Sequence, residues 1–147
     1  DIICSHGKLA GVLVETRKTE CGDVYVVIGV GLNIKQSSDE RFKKSAVRLP
    51  IADLSTIIGR PCARTELLVK LLVSLHGALE EFASNGFLNS VQKWNNRDAY
   101  NGRLVIGAIG EHRVHGTGCG IDDTGAYGIS DSQGRIHRII AGEVRLC

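Results

Sequence analysis

Methionine is missing from all 147 residues, and the chain opens Asp1-Ile2-Ile3. A natural start is therefore absent, and the chain reads as a piece of something longer. Formal net charge is only +2, too little to argue for a nucleic-acid or anionic membrane partner. No helix-turn-helix signature or basic patch stands in for that charge. No apolar run is long enough to span a bilayer, and no signal-peptide pattern is present. The five cysteines, Cys4, Cys21, Cys62, Cys119 and Cys147, are scattered, odd in number and never in C-x-x-C spacing. That disfavours a disulfide framework or a zinc site and suits a reducing, cytoplasmic setting. Of five histidines only His112 and His115 lie close. On a strand, that spacing puts them on opposite faces, so they read as solvent-facing residues near a turn and not as metal ligands. No P-loop, nucleophile elbow or paired-carboxylate pattern appears.

What is present begins with a hairpin, Lys8 to Asn33. K-L-A-G-V-L-V-E and V-Y-V-V-I-G-V-G-L-N are two β-branched apolar runs flanking a polar loop, Thr16–Asp23, and predict paired antiparallel strands. Gly11, Gly29 and Gly31 fall inside those strands, where a glycine marks a bulge or a close approach by another group. Lys8 enters the first strand and Asn33 leaves the second, so pairing brings a cation, an amide and bare backbone together. That suits an anionic ligand. Alone, a lysine before a strand is as a rule a solvated surface residue. G-V-G-L-N lacks the third glycine and the following helix of a dinucleotide fingerprint.

The remainder reads in order. Asp1–Gly7 is the end of a preceding strand and a turn. Lys35–Lys44 is a polar surface loop. A short helix starts at Leu49-Pro50, with Leu54, Ile57 and Ile58 inward, and ends at Gly59. A long helix follows from a Thr65 cap to Gly86. Its stripe of Leu68, Leu71, Leu72, Leu75, Leu79 and Phe82 is expected to be core. A third helix, Phe87–Trp94, carries Phe87, Val91 and Trp94 on one face. From Arg103 on, strands near Arg103–Ile109, His112–Gly120, Ala126–Ser130, Arg135–Ile140 and Glu143–Leu146 alternate with glycine turns. Five such strands predict a small barrel. The expected domains are 1–95 and 96–147.

The hairpin string closely resembles the biotin–protein ligase family, which includes the bifunctional ligases that repress biotin operons. Asp1 stands where that family's W-P-N-D motif ends. The resemblance continues through Trp94 and Asp98 (W-x-x-x-D), Gly118–Gly125 (G-x-G-x-D-x-x-G) and Gly142–Val144 (G-E-V). It implies an α+β fold: part of a class II synthetase-like mixed sheet with helices, then an SH3-like β-barrel. It implies ATP-dependent activation of biotin to biotinyl-5′-adenylate and transfer to a lysine of a biotin carrier protein. Lys8 corresponds to the catalytic lysine, Gly11, Gly29, Val30 and Gly31 to the biotin and adenylate cradle, and Asn33 to the nucleotide side near ATP and Mg2+. No protein metal ligand is implied. The barrel would close over the nucleotide and help dock the acceptor. Cys147 stands near the family's closing arginine, with Arg145 two residues earlier, so a nucleotide contact from the tail does not carry over. The family's glycine-arginine loop lies upstream of W-P-N-D and outside this chain, which implies little activity from these residues alone. The alternative is a docking or dimerisation module without catalysis, pairing through an open sheet edge. A DNA-binding role would require a helix-turn-helix domain upstream.

Overall fold

The computed structural model describes residues 1–35, 50–110 and 112–147. The chain divides into two compact units, Asp1–Leu72 and Val73–Cys147. The expected loop Lys35–Lys44 lies outside the described residues from residue 36 onward, as do Leu49 and Glu111.

The first unit holds a three-stranded antiparallel sheet, β1 (Ile2–Cys4), β2 (Gly7–Lys18) and β3 (Val24–Leu32), with β2 in the middle. The expected hairpin is present. Thr16–Lys18, expected in the loop, instead continue β2, paired out to Lys18↔Val24. The turn shrinks to Thr19–Asp23, closed by Thr19 N donating to Asp23 O at 2.8 Å. The short helix α1 is Leu54–Ile58, capped by Asp53 and ended by Gly59 in the left-handed conformation. Pro50 is therefore not its first residue. Its carbonyl accepts from Lys8 N at 2.8 Å, and Ile51 forms a parallel bridge with Lys8, so 50–53 run extended along β2. Ile57 and Ile58 are exposed, not inward. One turn of helix docks here through its amides: Leu54 N donates to Asn33 O and Ser55 N to Ile34 O, both at 2.9 Å.

Helix α2 is Arg64–Asn85, and Gly86 closes it at φ +69, as a residue without a β-carbon allows. The leucine stripe departs from expectation. None of α2 is buried, and Leu68, Leu72, Leu79 and Phe82 are exposed. Periodicity marks a face built to be covered; it does not place the cover in the same chain.

In the second unit, α3 (Leu88–Asn95) precedes five antiparallel strands: β4 (Leu104–Ile109), β5 (His112–Ile121), β6 (Tyr127–Ser130), β7 (Ile136–Ile139) and β8 (Val144–Leu146). Every expected strand is there within a residue or so, because period-two alternation and glycine turns are local signals. Their order is β7-β6-β5-β4-β8. The sheet curls, since the space above Gly107 in β4 is filled by Ile129 and by Ile139 from β7. No ladder among the described residues joins β7 to β8, so a closed barrel is not what the pairing forms. Val105, Tyr127, Ile129 and Ile139 make the core.

The W-x-x-x-D and glycine motifs build this unit. Trp94 stacks edge-on against Tyr127, ring centres 5.9 Å apart. Tyr127 Oη donates to Asp98 Oδ2 at 2.9 Å, and burial, with Asp98 beside it, pushes that phenol upward from its ordinary pKa. Asn95 holds the main chain of Ile121 with both ends of its amide, at 2.7 and 3.0 Å. A β-carbon at Gly118 would collide with Tyr127 Oη and the Tyr100 carbonyl, and one at Gly120 with Asn95. Gly118→Ala should therefore destabilise this unit by about 1–3 kcal/mol through overpacking. Thermal unfolding checks it, and an unchanged midpoint would contradict it.

Two aspartate turns close the strands. Asp131 Oδ1 accepts from the amides of Gln133 and Arg135, and Oδ2 lies 2.8 Å from His137 Nε2 and 3.0 Å from Arg135 Nε. Asp122 similarly serves Thr124, Ala126 and Arg138. Hydrogen bonding to His137 and to Thr124, respectively, holds the two carboxyls well below their ordinary value of 3.8. A carboxyl whose pKa is lower folded than unfolded stabilises above its unfolded pKa, and that contribution is lost as acid titrates it. The melting temperature of the second unit should fall as pH drops from about 5 to 2. Asp131→Asn should flatten that fall; an unflattened fall would show that Asp131 carries none of it.

Candidate active site

Lys8 is the second residue of β2. In an unbroken strand it would share a face with Ala10 and Val12, opposite Gly11. The register prevents that. Ile2 pairs with Ala10 and the next residue, Ile3, with Lys8, so Leu9 is one residue extra in β2. A bulge of this kind turns the flanking side chain to the other face. Lys8 Nζ accordingly lies 3.7 Å from where a β-carbon of Gly11 would stand.

That face is bare backbone. Gly11 pairs with Gly31, and Leu13 with Gly29, so three of the four facing positions lack side chains. The result is an open cleft of about 480 Å³ lined by Asp1, Lys8, Gly11, Val12, Leu13, Gly29, Val30 and Gly31. The ammonium is its cation, 2.7 Å from Asp1 Oδ1, with the Lys8 side chain 37% exposed. An exposed pair of this kind contributes about 0–1 kcal/mol, so the ammonium can leave Asp1 for a stronger anion.

Sequence reasoning named Lys8, Gly11, Gly29, Val30, Gly31 and Asn33. Five line one cleft, and Asn33 sits behind it. Its Nδ2 donates to the Lys8 carbonyl at 3.1 Å and its amide to Leu9 O at 3.0 Å. Asn33 thus braces the bulge. Missed were Leu13 as a wall, the bulge itself, and the segment 50–53. Gly7 lets that segment in: at φ +124 it places bare backbone against the Pro50 carbonyl, where a β-carbon would clash. The missed cap had a signal, D-L-S-T, an aspartate with threonine three residues on. Among the described residues no three His, Cys, Asp or Glu side chains gather as a metal cage.

No protein-family model matches the chain. Sequence relatives do. It is 33% identical over 148 residues to the bifunctional ligase/repressor BirA of Escherichia coli and 32% over 150 to that of Salmonella typhimurium. Each match covers 99% of this chain and 44% of the relative. It is 27% identical to a biotin–[acetyl-CoA-carboxylase] ligase of Paracoccus denitrificans, covering 92% of this chain and 56% of that protein. A solved biotin protein ligase of Aquifex aeolicus, in complex with biotin and ATP, superimposes with a TM-score of 0.78 at 26% identity, covering 97% of this chain and 57% of that one. The chain thus spans about half the length of the proteins it matches, and it is homologous to the C-terminal portion of biotin protein ligases.

Proposed function

We propose, from this kinship with the biotin protein ligases, that the chain is the C-terminal part of an enzyme that activates biotin with ATP and transfers it to a carrier-protein lysine. The observation that carries the reading is the ammonium of Lys8 held above the bare Gly11–Gly31 pair. The first step joins two anions: a biotin carboxylate oxygen bonds to the α-phosphorus of ATP, and the bond to the β-phosphate oxygen breaks, releasing pyrophosphate. A fixed cation between carboxylate and phosphate offsets their repulsion and stabilises charge developing at phosphorus. In the second step the acceptor amine attacks the acyl carbon, forming the amide, and AMP leaves. Lys8 then faces the departing phosphate.

Gly11, Gly29, Val30 and Gly31 line the space for the biotin rings and carboxylate, and Asn33, behind the cleft, serves the nucleotide side by bracing the Lys8 main chain. Mg2+ would arrive on the nucleotide phosphates, as that ion commonly does. In this reading residues 1–95 belong to a class II synthetase-like catalytic domain. Residues 96–147 are an SH3-like domain that helps seat nucleotide and carrier. The five free cysteines support a reducing cytoplasm.

Biotin-dependent exchange of pyrophosphate into ATP tests the reading. Fused in place of the matching portion of E. coli BirA, the chain should support exchange, and alone it should support little or none. Exchange by the chain alone, or none by a folded chimaera, would contradict it.

A further inference from the structure

Lys8 is held by its main chain as much as by its side-chain partner. Its amide donates to Pro50 O at 2.8 Å, and its carbonyl accepts from Ala52 N at 3.0 Å and from Asn33 Nδ2 at 3.1 Å. The best-buried described residues of the first unit are Gly7, Ala10, Ala52 and Asp53, and Gly7, Ala10 and Ala52 lie within two residues of Lys8 or bond to it. Packing in this unit is therefore concentrated beneath the lysine, while most of the hairpin is exposed.

The segment 50–53 ends on a charged side chain that is 5% exposed, Asp53. Asp53 Oδ1 accepts from Thr56 N and Oδ2 from Thr56 Oγ1, both at 2.9 Å. The helix it caps has five residues. One turn of helix is not stable alone, because nucleation costs more than so few hydrogen bonds return. The cap is thus a large share of what keeps α1 formed. The start of α1 in turn holds the end of β3 through Asn33 O and Ile34 O. Losing the cap would loosen 50–53, and with them two hydrogen bonds of Lys8 and the seat of Asn33.

We propose that Asp53 is a positioning residue: by capping α1 it fixes the 50–53 strap that sets the Leu9 bulge and aims the Lys8 ammonium over Gly11. This rests on the reading of Lys8 as the residue that meets the reacting anions. Asp53 does not line the cleft, so its removal should disturb orientation and not substrate contact. Orientation is felt in kcat, with KM little moved.

Two measurements test it. In the 147-residue chain, Asp53→Ala should speed amide hydrogen exchange at Lys8 and Ala52 by about tenfold or more, leaving Val105 in the second unit unchanged. In the chimaera, Asp53→Ala should lower kcat for pyrophosphate exchange by about tenfold or more, with KM for biotin and ATP within about twofold. Asp53→Ser and Asp53→Asn, equally good caps, should restore both. Faster exchange at Thr56 with Lys8 unchanged would overturn the proposal, as would a rise in KM at constant kcat. Failure of both Ser and Asn to rescue would mean the charge matters and not the cap, which also overturns it. A chimaera with Asp53 intact and no exchange activity would sink the ligase reading instead. The amide exchange rates at Lys8 would still decide the strap.

Discussion

Lys8→Ala in the chimaera should lower biotin-dependent pyrophosphate exchange by about 10²–10³-fold while leaving the fold intact. That magnitude is the loss found when one preorganised group stabilising a transition state is deleted. The side chain is 37% exposed and its ion pair with Asp1 lies at the surface, so truncation should cost little stability. What anchors residue 8 is its amide and carbonyl, which alanine keeps. Lys8→Arg should recover only part of the rate. It keeps the charge but exchanges a compact ammonium for a planar fork whose reach and geometry differ. A chimaera in which Lys8→Ala turns over at the wild-type rate would remove Lys8 from the chemistry.

Gly31→Val should be a better strand and a dead site. Glycine inside a strand is destabilising by roughly 0.5–1 kcal/mol relative to alanine, and valine favours extended backbone. Nothing lies within 4 Å of where a β-carbon at Gly31 would stand, and its φ is not in the left-handed region. The substitution should therefore hold or raise the melting temperature. Its methyls would fill the cleft opposite Gly11, where the reading places the biotin carboxylate and the α-phosphate. Exchange activity should fall below about 1% of wild type, the loss of a few kcal/mol of binding and alignment. Calorimetry should find no biotin binding. An opposite pattern, with a lower melting temperature and unchanged activity, would mean that Gly31 serves the sheet and not a ligand.

Legibility followed the range of each signal. The hairpin and the five short strands were readable because alternation and glycine turns are written within a few residues. The lysine and three of the strand glycines were readable as a string. The bulge at Leu9 was not, because it exists only in the register between β1 and β2. Read as a regular strand, the sequence puts Lys8 and Gly11 on opposite faces. The strap was missed for a related reason. Pro50 carries a strong local preference for a first helical position, but a long-range pairing of Pro50, Ile51 and Ala52 with residue 8 outweighs it. The leucines of α2 show the opposite limit, since their spacing announces a buried face and the described residues leave it open. Asn33 was placed correctly at the end of the hairpin, while its contact with the Lys8 carbonyl could come only from the fold. Gly118 and Gly120, read as part of the G-x-G-x-D-x-x-G resemblance, are sites where Tyr127 and Asn95 need the space.

The most direct test is a crystal structure of the chimaera with biotin and a non-hydrolysable ATP analogue, read at one atom. Lys8 Nζ should have left Asp1 and lie about 2.7–3.2 Å from both a biotin carboxylate oxygen and an α-phosphate oxygen, above Gly11 and Gly31. An ammonium still on Asp1, beyond about 4 Å from both ligands, would contradict the account.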